Sequence, residues 1–125
     1  MAKEIINTTE APAAIGPYVQ AVKSNGTLYI SGQLGFDMST GEIPADVEEQ
    51  AKNSLKNLDA IMKAAGTDKS KVLKTTIFLT DMGDFAKVNE IYGAFFEGHN
   101  PARSCFAVAA LPKDGKVEIE CIAEA

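Results

Sequence analysis

The sequence contains very few of the side chains on which metal sites and histidine-dependent triads depend. Its 125 residues include one histidine, His99, and two cysteines, Cys105 and Cys121. One imidazole excludes most Ser-His-Asp triads and zinc sites, and the cysteine spacing is not that of a metal-binding motif. Because the chain is acidic and lacks a leader, we expect two buried thiols in a reducing cytoplasm, with a disulfide as the alternative.

Runs of basic or of apolar residues are also missing. The formal charge of −5 and the lack of a Lys- or Arg-rich stretch argue against general binding to nucleic-acid backbones, which depends on neutralising phosphates. Residues 1–16 lack the basic segment and apolar core of a signal peptide. No apolar run reaches the length that spans a membrane. We therefore expect a cytoplasmic protein that engages neither a membrane nor nucleic acid.

The chain is long enough for one domain with its own core, and we expect residues 1–125 to form a single domain. Alternating apolar residues predict strands, and apolar residues at helical spacing predict helices. These patterns predict the order β-β-β-α-β-α-β-β. The strands lie at residues 3–7, 18–23, 27–31, 71–80, 103–111 and 117–122, a loop covers 10–17, and the helices lie between 46 and 66 and between 84 and 98.

Both predicted helices have recognisable ends. Asp46 followed by Glu49 resembles a capping box, and Gly66 ends the first apolar stripe. Asp84 is the predicted cap of the second helix, which ends at Gly98. Each helix has one apolar face. We expect both faces to cover the same side of one mixed sheet, which is an α+β architecture.

Two dipeptides predict hairpin turns. Asn25-Gly26 is predicted to join the second and third strands, and Asp114-Gly115 the last two. In that final hairpin Glu120 would lie opposite about Val108. Arg103 would then be about five residues, or roughly 15 Å, further along. At that separation the two side chains would share a small ligand only across a subunit boundary.

Arg103 and Glu120 are the candidate functional residues of these last strands. Arginine binds a carboxylate through two parallel hydrogen bonds, and glutamate can act as a base toward water. The alternative is that Arg103 is a surface or capping residue and that the strand glutamates face solvent. We expect Glu118 and Glu124 to face solvent in either case.

The predicted strands carry apolar residues on both faces, although the two helices cover only one. Phe106 and Val108, for example, alternate with Cys105 and Ala107. A bare apolar sheet face is unfavourable in water, so we expect the protein to self-associate through it.

Six segments, in order along the chain, closely resemble the RidA (YjgF) family, and the similarity covers practically the entire sequence. They are IGPYVQAV (15–22), YISGQLG (29–35), TGEIPADVEEQ (40–50), KTTIFLTDMGDFAKVNEIY (74–92), PARSC (101–105) and KVEIECIA (116–123).

This resemblance implies a chorismate-mutase-like fold that assembles as a homotrimer, with active sites between neighbouring subunits. It also implies hydrolysis of reactive 2-imino acids, or their 2-aminoacrylate-type enamine tautomers, to 2-keto acids and ammonia, without a cofactor or metal. Two alternatives stay open: a non-catalytic trimer that binds small carboxylates, and an endoribonuclease or translation inhibitor. The net charge of −5 argues against the last.

By resemblance, Arg103 binds the substrate carboxylate and Glu120 positions or deprotonates the attacking water. Cys105 would hold the imine end through its main chain, since no histidine or lysine partner supports a thiol nucleophile. The other pocket positions that the resemblance implies are Tyr18, Ser31, Gly32 and Asn89.

Taken alone, three of these residues have structural interpretations: a packed strand aromatic for Tyr18, a strand-end hydroxyl for Ser31 and a polar helix position for Asn89. Gly32 would allow a close backbone approach. The sequence also departs from the family pattern, in which a few more residues usually precede Pro101. We expect His99 to be a cap at the helix terminus, where a positive charge complements the dipole.

Overall fold

The computed structural model describes residues 3–125, and its elements follow the predicted order β-β-β-α-β-α-β-β. The strands are β1 (Glu4–Ile6), β2 (Ala21–Ser24), β3 (Thr27–Leu34), β4 (Val72–Leu79), β5 (Ala102–Ala107) and β6 (Val117–Glu124). The helices are α1 (Val47–Ala64) and α2 (Phe85–Phe96).

The six strands form one mixed sheet in the order β1-β2-β3-β6-β4-β5. Among the strands within residues 3–125, only β4 and β5 pair in parallel, and α2 connects them. Strands β3 and β4 are both antiparallel to β6, which lies between them, so they are parallel to each other and α1 connects them. The sheet is therefore mixed, as expected for an α+β protein with two crossover helices.

The first helix has the predicted start and end. The Asp46 carboxylate accepts a hydrogen bond from the Glu49 backbone N–H at 3.2 Å. Glu49 does not return the bond as a capping box would, because its carboxylate is 3.5 Å from the Lys52 ammonium. At the other end, Gly66 has φ of +81° and the Thr67 N–H donates to the Met62 carbonyl. This is the left-handed glycine ending of a Schellman motif.

The prediction that the side chain of Asp84 caps α2 is wrong. Asp84 has near-helical backbone angles, and its carboxylate makes no capping hydrogen bond. A short 3-10 turn, Met82–Asp84, precedes the helix, and the carboxylate of Asp81 caps that turn through the Gly83 N–H at 2.8 Å. A cap needs an extended backbone to turn its side chain back to the helix, and here Asp81 has it.

The hydrophobic core lies between the two helices and one face of the sheet, so the prediction that both helices cover the same face is confirmed. The strands contribute the alternating residues Val117, Ile119, Cys121 and Ala123 from β6, all buried. The helices contribute Leu55, Leu58, Ile61 and Met62 from α1 and Val88, Tyr92 and Phe96 from α2. The buried residues thus alternate along β6 and recur at helical spacing in α1.

The predicted hairpin at Asp114-Gly115 is wrong. Strands β5 and β6 do not pair, because β4 lies between them and pairs with both. A two-residue turn of this type needs φ > 0 at Asp114 and Gly115. Instead, Lys113 and Asp114 have φ of 59° and 56°, while Gly115 has φ of −62°. Residues 108–116 form a longer connection that carries the chain past β4.

The second and third strands differ from their predicted bounds. Strand β2 begins at Ala21 rather than at residue 18, and β3 continues to Leu34 rather than ending at residue 31. The register of β3 against β6 shifts between Ile30 and Gln33, which is a β-bulge. The Asn25-Gly26 turn is confirmed, with φ of 52° and 78°.

The sheet face opposite the helices is open and partly apolar, as predicted. In-register pairing places Ile5, Val22, Tyr29 and Ile122 in one row across four strands of this open face. Ile5, Tyr29 and Phe106 are each about half exposed. Separately, neither helix within residues 3–125 has the length and apolarity of a membrane span.

Candidate active site

Arg103 projects from the edge strand β5 toward the second helix. Its Nη1 donates a hydrogen bond to the Asn89 Oδ1 at 2.7 Å. Its guanidinium carbon lies 4.9 Å from the centre of the Tyr92 ring and 5.5 Å from that of Phe85. Arg103, Asn89 and Tyr92 border a cavity of about 410 Å³ that is also lined by Gly93, Asn100 and Pro101. The structure therefore brings two predicted site residues, Arg103 and Asn89, into direct contact.

Cys105 lies two residues further along β5 and on the same, helix-facing side of the sheet. It pairs in register with the buried Ile77 and packs against the core. Burial raises the pKa of its thiol, and the nearby Arg103 charge offsets only part of this. A raised pKa reduces the thiolate fraction, so the geometry gives no support to a nucleophilic role. Both cysteines are free thiols.

Glu120 projects from β6 onto the open face. It lies opposite Thr76 of β4, not opposite Val108 as the hairpin predicted. On its other side it faces the β3 bulge that contains Ser31 and Gly32. Glu120 is exposed and borders a shallow depression together with Ser31, whose hydroxyl donates to the Val19 carbonyl at 2.7 Å. Bulges recur beside active sites because they redirect side chains.

A second cavity, of about 560 Å³, lies next to this depression and contains Tyr18 and Gly32. Tyr18 is half exposed and belongs to a loop, not to the predicted strand. The loop is held by Gln20, whose buried side chain bonds Thr8 and the Pro12 carbonyl. Glu118 also lines this cavity. The cavity therefore combines an aromatic hydroxyl, a glycine and a carboxylate.

The sequence did not identify Glu118 as a candidate site residue, because Glu118 was predicted to face solvent. It is partly buried, and its carboxyl carbon would lie 2.9 Å from a β-carbon added at Gly32. Burial raises the pKa of this carboxyl, and the negative charge of Glu120 raises it further. A glycine within a strand marks a close approach by a neighbouring group, and Gly32 was the available signal.

Within one chain the candidate site residues, Glu118 included, form two separate groups. Arg103 is in register with Thr75 and Cys121 on the helix-facing side, whereas Glu118 is in register with Phe78 on the open side. Successive residues of a strand alternate between faces, so the sheet itself separates the two groups. The separation of roughly 15 Å rested on a hairpin that the structure does not contain. The conclusion drawn from it still holds, because the sheet prevents one chain from using both groups on a small ligand.

Within residues 3–125 no three His, Cys, Asp or Glu side chains are grouped so that they could hold a metal ion. His99 lies just beyond α2, and its Nε2 is 3.2 Å from the carbonyl oxygen of Val72. This contact links the end of α2 to the start of β4. His99 therefore makes a tertiary contact in addition to lying at the predicted helix terminus.

Comparison with known proteins relates the chain to one family over almost all of its length. Residues 8–125 match the family model described as Endoribonuclease L-PSP. The chain is 57% identical over 122 residues to the mouse protein named 2-iminobutanoate/2-iminopropanoate deaminase, covering 97% of this chain and 90% of that one.

Solved structures give the same relationship. The crystal structure of Escherichia coli TdcF with bound serine has 51% sequence identity and a TM-score of 0.93, with 98% of each chain covered. RidA from the Antarctic bacterium Psychrobacter sp. PAMC 21119 has 48% identity and a TM-score of 0.94, covering 98% of this chain and 99% of that one. The chain therefore belongs to the Endoribonuclease L-PSP family, which is the RidA (YjgF) family that its sequence motifs resemble.

Proposed function

We propose that this protein hydrolyses reactive 2-imino acids, and the 2-aminoacrylate-type enamines in equilibrium with them, to 2-keto acids and ammonia. The observation that carries the proposal is the 57% identity, over 97% of the chain, to a relative named for this reaction. The arrangement around Arg103 agrees with it, because a 2-imino acid carries a carboxylate that must be bound beside the reacting carbon.

Arg103 is the proposed carboxylate-binding residue. Asn89 occupies one N–H of its Nη1, and the remaining N–H groups are available to pair with a carboxylate in two parallel hydrogen bonds. Lysine would not replace Arg103, because an ammonium group lacks this planar two-pronged geometry. Asn89 would therefore act on the substrate through the orientation of the guanidinium.

Two carboxylates of β6 are candidates for activating water: Glu120, which the sequence predicted, and Glu118. A general base works best when its pKa approaches the working pH. Partial burial and the Glu120 charge both move the pKa of Glu118 in that direction. Glu118 also shares a cavity with Tyr18 and Gly32. We therefore propose Glu118 as the base and Glu120 as the neighbour that raises its pKa, with Glu120 as the alternative base.

The other predicted positions have supporting roles in this proposal. Tyr18 would place its hydroxyl against the substrate or the attacking water, because it is exposed in the cavity of Glu118. Ser31 and Gly32 form the bulge beside both carboxylates, and Gly32 leaves the space that the Glu118 carboxyl occupies. Cys105 would contribute main-chain groups at the imine end.

The reaction needs little beyond positioning, because a protonated imine is already electrophilic. Glu118 would accept a proton from water as the water oxygen bonds to the imine carbon, which gives a carbinolamine. Return of that proton to the nitrogen would make it a leaving group. As the carbon–nitrogen bond breaks and the carbonyl forms, Glu118 would accept the hydroxyl proton and pass it to the departing ammonia, which leaves the 2-keto acid and restores the carboxylate. Holding the water and the substrate together supplies most of the rate gain. No step needs a cofactor or a metal.

The proposed assembly is a homotrimer with active sites between subunits. The sheet places Arg103 and Glu118 on opposite faces, so a complete site needs two chains. The exposed apolar residues of the open face, among them Tyr29 and Phe106, are candidates for the contact surface. We also propose a cytoplasmic location, which suits two free thiols.

The test couples the protein to a threonine or serine dehydratase and follows keto-acid formation. The protein should accelerate the hydrolysis step, and Arg103→Ala should abolish the acceleration. Binding of 2-ketobutyrate without acceleration would instead favour a non-catalytic carboxylate sensor. The family description makes endoribonuclease activity the second candidate, and RNA cleavage that survives Arg103→Ala in highly purified protein would favour it.

A further inference from the structure

We propose that α2 is a positioning element for Arg103, and that the ring of Tyr92 is its central component. This inference rests on the proposed function, because it concerns how the carboxylate-binding group of that site is held. Three α2 side chains surround the guanidinium: Phe85, Asn89 and Tyr92. We call them the α2 clamp. Their spacing of four and then three residues places them on one face of the helix.

The clamp fixes the guanidinium from different directions. Tyr92 and Phe85 present ring faces at 4.9 and 5.5 Å, which is within the range of cation–π attraction. Asn89 accepts a hydrogen bond from Nη1 at 2.7 Å. An exposed arginine side chain is normally free to adopt many rotamers, and ordering it during binding costs affinity. The clamp removes part of that cost before the substrate arrives.

Tyr92 is itself held rigidly. Its ring is buried, with 5% of the residue exposed, and its hydroxyl is 2.6 Å from the hydroxyl of Thr75, which is fully buried. Burial raises the pKa of the Tyr92 phenol, so the hydroxyl stays protonated and hydrogen-bonded at neutral pH. Thr75 pairs in register with Arg103 on the adjacent strand. The strand next to Arg103 therefore fixes the ring that supports Arg103.

The division of labour within the clamp predicts which atoms matter. The ring face of Tyr92 supports the guanidinium, whereas its hydroxyl only anchors the ring to Thr75. Tyr92→Phe keeps the ring and should keep carboxylate binding. Tyr92→Leu removes the ring and should weaken it. Because neither change alters the β6 carboxylates proposed to activate water, the chemical step should be affected little by either change.

The experiment measures the dissociation constant of 2-ketobutyrate by calorimetry, together with KM and kcat in the dehydratase-coupled assay. For Tyr92→Leu we expect the dissociation constant and KM to rise by about 3- to 30-fold, the range for a lost cation–π contact, with kcat within about twofold of wild type. Tyr92→Phe should be close to wild type. Phe95→Leu is the matched control, because Phe95 is an α2 aromatic that faces Lys69 and Phe96 instead of Arg103.

Three outcomes would overturn the inference: unchanged ligand affinity in Tyr92→Leu, an equal loss in Phe95→Leu, or a fall in kcat at constant KM. If Tyr92→Leu does not fold, Phe85→Leu replaces it, because Phe85 is less buried and supports the same guanidinium. Arg103→Ala distinguishes the role of Arg103 itself from the role of the α2 clamp. If that variant binds 2-ketobutyrate as wild type does, the carboxylate-binding role of Arg103 fails, and a wild type that does not accelerate hydrolysis refutes the proposed function. Normal binding by Tyr92→Leu alone refutes only the clamp.

Discussion

Arg103 and Glu118 leave opposite faces of the same sheet, one toward α2 and the other toward the open side. The register fixes this relationship, since Arg103 pairs with Thr75, which is buried under the helices, and Glu118 pairs with Phe78 on the open face. A proposal that assigns both residues to one ligand therefore requires a second copy of the chain. Under that proposal, catalysis depends on assembly of the chains.

The pH dependence of activity should identify the base. Glu118 must be deprotonated to accept a proton, so activity should fall as the pH falls through its pKa. That pKa lies above the ordinary value of 4.5 because of burial and the neighbouring Glu120. The acid limb of the kcat/KM profile should therefore lie above pH 4.5 in the wild type. Glu118→Gln should reduce kcat by roughly 100-fold or more, the usual range for a lost general base, while keeping 2-ketobutyrate binding.

Glu120→Gln is the matched variant for that profile. Removing the Glu120 charge lowers the pKa of Glu118, so the acid limb should move to lower pH while the activity at neutral pH changes little. The opposite pattern, in which Glu120→Gln abolishes activity and Glu118→Gln does not, would return the role of base to Glu120.

Gly32→Ala should reduce activity by displacing the Glu118 carboxyl. The new β-carbon would lie 2.9 Å from the Glu118 carboxyl carbon, and the side chain has to move away. A displacement of about 1 Å at a catalytic group costs up to roughly 100-fold in rate. Thermal unfolding should change little, because the contacted group is the end of a flexible side chain. Normal kcat in this variant would argue against Glu118 as the base.

Gly35→Ala should destabilise the fold, since its β-carbon would lie 2.5 Å from the Gln50 backbone in α1. We expect a loss of about 1–3 kcal/mol or more in the free energy of unfolding, measured with denaturant. Gly93→Ala is the control, because its β-carbon would meet nothing within 4 Å in this chain. An alanine at this α2 position should stabilise the helix by roughly 0.5–1 kcal/mol. Equal effects of the two substitutions would contradict the close contact of Gly35, just after β3, with α1.

Assembly through the open face can be tested by light scattering coupled to size exclusion. Wild-type protein should have three times the 13.3 kDa chain mass. Phe106→Lys should reduce that mass or weaken the assembly, because it places a charge on an apolar contact surface. Met82→Lys is the comparison, since Met82 is similarly exposed but lies in the turn before α2. A wild-type monomer would remove the proposed basis for a shared site.

Reasoning from sequence succeeded where local patterns carry the information. The spacing from Val47 to Ala65 identified α1 and its buried face, and Asp46 marked its start. Asn25-Gly26 identified a hairpin because both residues readily adopt the positive φ that a tight turn requires, and the strands joined by the turn are adjacent to it in sequence. Val117, Ile119 and Cys121 likewise alternate along the predicted strand 117–122, and all three are buried in β6.

The same kind of signal failed at Asp114-Gly115. A dipeptide specifies a preferred backbone conformation but not which strands are neighbours. Here β6 inserts between β3 and β4, where its buried side chains join the core formed with the helices, and this long-range gain outweighs the local preference for a tight turn. Asp84 does not cap α2 for a related reason. A 3-10 turn, Met82–Asp84, precedes the helix, and Asp81 caps that turn.

By itself, then, the sequence determined the order of the elements, the apolar faces of both helices and the candidacy of Arg103, because periodicity and motifs are local properties of the chain. The family resemblance added Asn89 as a candidate. Only the tertiary structure decided that Arg103 is surrounded by α2, that Glu118 is partly buried beside Gly32, and that the sheet separates the two. Each of these depends on strand order and register, which arise from contacts between residues far apart in the chain.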